Sequence, residues 1–398
     1  MDATTSGDPG PAPAPYPGVP MIPRGAALDA PAIAAVVAAQ VRRTGTHALP
    51  VAMLVRLGEL RRRHGAGHPF LDAYLGCVLA RHEGRFHNRT YLALPLLERV
   101  QAAAGLTPER LAALLLADVV RFERRAAGPD LPDAATRRKR IRHALRIVAA
   151  SEDRPVSADD ELDAVALPAL PATGLAGWFD LTVQPVSTRH DEYFFIRALQ
   201  AHEMIFTTLA DAMVAATAAL RAGRAREAVA HVEYADLVFA RAAMLFRLVA
   251  TLRVEAFADF RVHTEGASAI QSEQYKRFEA ACARPATVRL ESAAFANVPR
   301  VRSAVEAGVD TLSDARRAAR PGTDPGTVDG AALARALRRL EAQHQRWKAA
   351  HHGLAVRMLG DAPGSGYTAG VPYLRACLSN RLFDDLGDPA DPGGLAAS

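Results

Sequence analysis

A chain of 398 residues exceeds what one compact core ordinarily holds, and 49% apolar residues suffice for a large one, so two helical lobes or a domain with an extension are expected. No apolar run approaches the roughly 20 residues that cross a bilayer, no basic-then-apolar secretion signal opens the chain, and the scattered Cys77, Cys282 and Cys377 suit neither a disulfide framework nor a zinc cluster; a reduced, cytoplasmic protein without a membrane partner is expected. The net charge is +5, but the densest basic run, Arg137-Arg138-Lys139-Arg140 with Arg142 and Arg146, has no interleaved aromatic residues, which fits a solvated helix face and argues against nucleic acid.

Residues 1–24 repeat Pro, Ala and Gly and predict a disordered tail. Residues 25–150 read as several helices, broken near Gly65-Ala66-Gly67 and Gly105. Within them Phe86-His87-Asn88-Arg89-Thr90-Tyr91 reads as a polar, aromatic start to a helix, with a contribution to a pocket as the alternative. Gly128-Pro129-Asp130 and residues 151–184 read as linkers, 185–385 as the main domain, and 386–398 as a C-terminal tail. A further irregular stretch runs from Arg320-Pro321-Gly322 to Gly330. Abundant Ala, Leu and Arg favour helix throughout.

Three segments carry the strongest periodicity. Phe195, Leu199, His202, Phe206, Leu209, Met213, Ala216 and Leu220 alternate spacings of four and three, which is one stripe of a helix that stops at Gly223. Val232, Ala235, Phe239, Ala242, Phe246 and Val249 do the same and lead to Phe257 and Arg261. Leu333, Leu337, Leu340, His344, Trp347, His351, Leu354 and Met358 form a third stripe, closed by Gly360. Stripes of this width require helix-on-helix packing, so the fold class is all-α.

Burying an imidazole is costly without a partner, so His344 and His351 are either hydrogen-bonded core residues or metal ligands; periodicity alone does not choose. His352 is rotated about 100° away from the stripe. The loop Asp361-Ala362-Pro363-Gly364-Ser365-Gly366-Tyr367-Thr368-Ala369-Gly370 is either a plain turn or a place where backbone and the hydroxyls of Ser365 and Thr368 meet a ligand. Arg261 is either a surface or structural ion-pair arginine or a carboxylate clamp. His202-Glu203 and His82-Glu83 open like a zinc-protease motif, but neither continues with the second histidine.

Together these segments resemble the tryptophan 2,3-dioxygenase family, within the wider group of haem-dependent aromatic oxygenases. Phe195-Ile196 through Leu199-Gln200-Ala201-His202-Glu203-Met204 is similar to the family's first active-site helix. Phe260-Arg261 and Ser268-Ala269-Ile270-Gln271-Ser272-Glu273-Gln274-Tyr275 resemble its Phe-Arg and Ser-Gly-Phe-Gln-Ser elements. From Trp347 to Leu378, His351, Val356-Arg357-Met358-Leu359-Gly360, Gly364-Ser365-Gly366, Gly370 and Tyr373-Leu374-Arg375-Ala376 follow the family pattern in order and nearly in spacing. The match covers roughly residues 185–385, and the first 180 or so match nothing.

The resemblance implies a helical bundle with haem b held by His351 as the proximal iron ligand. It implies Phe195 over the distal face, Arg261 on a substrate carboxylate, Ser365 in place of a family threonine at the amino-acid end, with Thr368 beside it, and Ser268 and Ala269 near bound oxygen. Leu199 stands where the family has its distal histidine and Phe257 where it has a tyrosine, so both line the substrate without hydrogen-bonding it. His202, one turn on, either substitutes as the catalytic histidine or is a packed core residue. The implied activity is oxygenation of an aromatic amino acid by dioxygen or peroxide, on a tryptophan, indole or modified-tryptophan substrate in specialised biosynthesis. Tyrosine-type hydroxylation or non-catalytic haem binding are the alternatives, and a homo-oligomer, dimer or tetramer, is implied.

Overall fold

The computed structural model describes residues 28–152, 164–171, 173–319 and 327–386; the two expected tails lie outside the described residues, Leu386 apart. Among them no strand occurs, and the fold is all-α. The first part of the chain forms α1 (Ala30–Thr44), α2 (Val51–His64), α3 (Pro69–Val78), α4 (Asn88–Tyr91), α5 (Leu94–Ala103), α6 (Pro108–Arg125), α7 (Ala134–Ser151) and α8 (Ala176–Asp180). The second part forms α9 (His190–Arg221), α10 (Ala225–Val249), α11 (Val254–Arg261) and α12 (Glu273–Cys282), then the short α13 (Thr287–Leu290), α14 (Ala293–Ala296), α15 (Pro299–Glu306) and α16 (Leu312–Ala318). It closes with α17 (Val328–Leu359) and α18 (Val371–Cys377).

The helix limits have local causes. α9 begins five residues before the first apolar position of its stripe, with Asp191 and Glu192 in its first turn, where carboxylates complement the helix dipole. It ends where Gly223 turns left-handed at φ 73°. The Thr327 hydroxyl accepts the Gly330 N–H at 3.0 Å to start α17, and Gly360 at φ 53° stops it. By length and composition α9 is apolar enough to cross a bilayer, contrary to the expectation that no such run exists; 72% of that window is buried inside the protein, so its apolarity is that of a core helix.

α9 is the central helix: α6, α10, α12 and α16 pack on it, and α17 packs on α10. Their shared core contains Leu115, Val119, Phe194, Leu209, Phe239, Phe278 and Leu340, so α6 and α7 belong to the same core as the C-terminal bundle. A smaller core beneath α1, α2 and α3 gathers Ile33, Val37, Leu57, Leu71 and Leu75. Each fully buried side chain of this size stabilises by roughly 1.5–3 kcal/mol.

Buried polar links fix how the first part meets α9. Arg197, fully buried, bonds Asp118 of α6 at 2.8 Å and Thr182 at 2.6 Å. The Gln200 amide donates to the carbonyls of Leu92 (2.8 Å) and Thr182 (2.9 Å), and the Tyr91 hydroxyl donates to Glu192 at 3.2 Å. The α4 segment is thereby held against the N-terminal half of α9.

Candidate functional site

A cavity of about 270 Å³ opens between α9, α10, α11, α17 and the loop after α17. The residues given a site role by the family resemblance line it: Phe195, Leu199 and His202 from α9, Phe257 and Arg261 from α11, Ser268 and Ala269 beyond it, His351 from α17, and Ser365 and Thr368 from the loop. Its apolar wall is completed by Phe246 and Trp347, which spacing places on buried stripes, and by Leu252 between α10 and α11.

The three histidines of the stripes have different surroundings. His344 does not line the cavity; its Nε2 meets the Tyr275 hydroxyl at 2.9 Å and its Nδ1 lies 3.7 Å from Glu341, which makes it a hydrogen-bonded core residue. His351 is half-buried, stacked on Phe246 (5.4 Å between centroids, 18° between planes), and no described residue hydrogen-bonds its ring. Burial and the neighbouring His352 push its pKa down to about 4, so the imidazole is neutral. His202 sits between Phe206 and Phe246, and its Nδ1 donates to its own helix at the Ala198 carbonyl (3.0 Å). Its Nε2 is buried, and burial pushes this imidazole to about 4 as well, against the backbone of Ala198 and Ala242.

Arg261 ends α11 and gives one terminal N–H to the Pro363 carbonyl of the loop, while its Nε is buried with no partner. The guanidinium lies 5.7 Å from the centre of the Phe257 ring, which packs edge-on against Phe195 (5.8 Å). The loop is built for close approach. A β-carbon on Gly366 would stand 2.8 Å from Ile270 and 2.9 Å from Ser268, so only glycine lets the loop lie against that segment. Ser268 is fixed in turn by Gln271, whose side chain also accepts the Asn88 N–H at 2.8 Å.

Asn88, Tyr91 and Leu92 also line the cavity. The stretch 86–91 is thus both a helix start and a wall of the site, and its alternating polar and aromatic residues were the available signal. Glu203 is another lining residue; burial pushes its carboxyl up to about 7. Its pairing with His202 drew attention to a zinc motif rather than to a buried acid.

Among the described residues no group of three His, Cys, Asp or Glu side chains is placed to hold a metal ion. A single neutral imidazole in an apolar wall instead suits a metal whose other ligands come from a macrocycle. The unpartnered Trp347 Nε1 and the open His351 ring are consistent with a ligand lying between these helices.

No protein-family model matches the chain. Two curated proteins are similar to it. Tryptophan 2,3-dioxygenase of Anaeromyxobacter sp. (strain K) is 27% identical over 232 residues, covering 51% of this chain and 88% of that protein. Tryptophan 2,3-dioxygenase of Anaeromyxobacter dehalogenans (strain 2CP-C) is 25% identical with the same coverage. With an all-helical fold and the motifs gathered around one cavity, the chain is related at the family level to the tryptophan 2,3-dioxygenases.

Proposed function

We propose that this chain is a haem-dependent oxygenase acting on an aromatic amino acid with a modified or substituted ring, in specialised biosynthesis. The observation that carries the reading is that His351, neutral and unpartnered, shares one cavity with Arg261, Phe195 and Ser365. His351 would hold the iron of haem b, and the bound haem would supply activation of dioxygen or peroxide.

The chain's own residues orient the substrate. The buried Nε of Arg261 and an adjoining N–H would grip the substrate carboxylate, a charge-assisted pair that fixes direction as well as position. Ser365 and Thr368 would face its amino group. Phe195 and Phe257 hold the aromatic ring by edge contacts and exclude water, which keeps the reacting carbon in place. Ser268 and Ala269 would lie beside the oxidant.

Leu199 cannot accept a hydrogen bond from a ring N–H, and Phe257 offers no hydroxyl. Both positions favour a substrate other than unmodified tryptophan and support tyrosine-type hydroxylation as the second reading. His202, a neutral imidazole lining the cavity one turn from Leu199, is the candidate proton acceptor.

Spectral titration and oxygen uptake with tryptophan, ring-substituted tryptophans and tyrosine test this. Arg261→Ala is expected to weaken binding of the accepted substrate by roughly 10- to 150-fold, about 1.5–3 kcal/mol for a hydrogen bond to a charged group, and to leave haem content unchanged. Normal binding by that variant would remove the carboxylate clamp from the mechanism.

A further inference from the structure

Phe246 and Leu354 have two sides. On one they line the cavity; on the other they floor a surface groove between α10 and α17. Phe246 stacks on His351, so a single layer of side chains separates the groove from the proposed iron ligand. The small residues Ala250, Ala350 and Gly353 keep the groove concave.

Its charge is one-sided. Arg247, Arg346 and Arg357 line it, all three are exposed, and none forms an ion pair among the described residues. α10 from Leu237 to Val249 and α17 from Ala342 to Leu359 contain no acidic residue, and neither does α7, which packs on α10. The acids nearest along these two helices, Asp236 and Glu341, stand immediately before the two stretches; Asp236 pairs with Arg339, and Glu341 accepts the Leu382 and Phe383 N–H groups. Burial and then Lys139, Arg146, Arg247 and Arg142 push His143 down to about 4, which marks where Arg247 meets the basic face of α7. A positive field of this extent accelerates encounter with an acidic protein surface and selects against a basic one.

We propose that this groove is the docking site of a small acidic one-electron carrier of the iron–sulfur ferredoxin class, which reduces the haem through Phe246 and His351. The proposal rests on the haem reading above. In the step one electron leaves the reduced iron–sulfur cluster, which becomes oxidised, and ferric haem iron takes it up to become ferrous; no bond is made or broken and no proton moves.

The test uses the full chain, haem-loaded, with a plant-type [2Fe–2S] ferredoxin as probe, and compares the natural protein with R247E/R346E. Calorimetric binding at low salt is expected to weaken at least about tenfold in the variant, and to weaken in the natural protein as ionic strength shortens the Debye length to a few ångströms. Haem uptake and reduction by dithionite should be equal in both, while reduction by the ferredoxin slows with binding. Equal ferredoxin affinity in the two proteins overturns the proposal, as does tighter binding of duplex DNA or phosphatidylserine vesicles than of ferredoxin. Absence of a haem spectrum in the natural protein would instead sink the oxygenase reading, and ferredoxin binding would still decide whether the groove is a docking surface.

Discussion

His344 and His351 are seven residues apart on one face of one helix, and nothing local separates them. What separates them is what the neighbouring helices bring. α12 sets the Tyr275 hydroxyl against His344, whereas α10 offers His351 only the face of Phe246. Partners supplied from other helices are invisible to spacing, so periodicity placed both residues on the buried stripe and could not assign them. The Gly-rich loop carries the same ambiguity, and a substitution at Gly366 tests it. Gly366→Ala puts a β-carbon where Ile270 and Ser268 already stand, which forces the loop and Ser365 away from the cavity. The expected outcome is at least tenfold weaker substrate binding in a spectral titration, with haem retained. Leu199→His restores an acceptor beside the cavity, and is expected to improve binding of substrates with a free ring N–H several-fold, about 1 kcal/mol for a neutral hydrogen bond; unchanged selectivity would show that Leu199 does not face the ring.

At the scale of elements, the 3–4 spacing located α9, α10 and α17 within a few residues, because each buries one long apolar stripe. The polar residues that lock these helices together carry no such period. Arg140 lay in the basic run read as a solvated face, yet it is fully buried, bonded to Glu123 at 2.6 Å and Asp191 at 3.2 Å, with its guanidinium 3.7 Å from the centre of the Phe194 ring. Arg140→Met removes the one cation shared by two buried carboxylates, leaving Glu123 to His190 and Arg137 and Asp191 to Arg253, and chemical denaturation is expected to show a loss of roughly 3 kcal/mol. Glu341 performs a similar task on α17: it accepts the N–H groups of Leu382 (2.7 Å) and Phe383 (3.1 Å), holding the last described segment to the helix. Burial alone would raise its pKa, but His344, Gln345 and the Leu382 N–H hold the carboxyl at about 2. Its folded pKa is depressed below the ordinary 4.5, so its contribution is complete above that value and is lost as pH falls toward 2. The melting temperature of the natural protein should therefore converge on that of Glu341→Gln over this acid range. A constant gap between the two would show that the carboxylate is not the group responsible.

Across the whole molecule, the resemblance reached residues 185–385, but the cavity draws on the earlier part as well. Asn88, Tyr91 and Leu92 enter it because Gln200 and Gln271 bind their backbone, a pairing across more than a hundred residues that no local pattern encodes. Likewise α6 buries Leu111, Leu115, Leu116, Val119 and Val120 completely, and it packs on α9. At roughly 1.5–3 kcal/mol each, these five side chains match or exceed the whole net stability of a typical domain. A chain shortened to residues 173–386 is accordingly expected to lack a cooperative thermal transition by circular dichroism; a sharp transition would show that the C-terminal bundle folds alone.

Whether His351 holds a haem in this cavity is decided by the absorption spectrum of the purified, haem-supplemented protein, oxidised, reduced and with carbon monoxide, beside His351→Ala. The expected result is the spectrum of a histidine-ligated haem, lost or altered in His351→Ala and little changed in a parallel His344→Ala. A natural protein that takes up no haem, or a His351→Ala spectrum identical to the natural one, would contradict it.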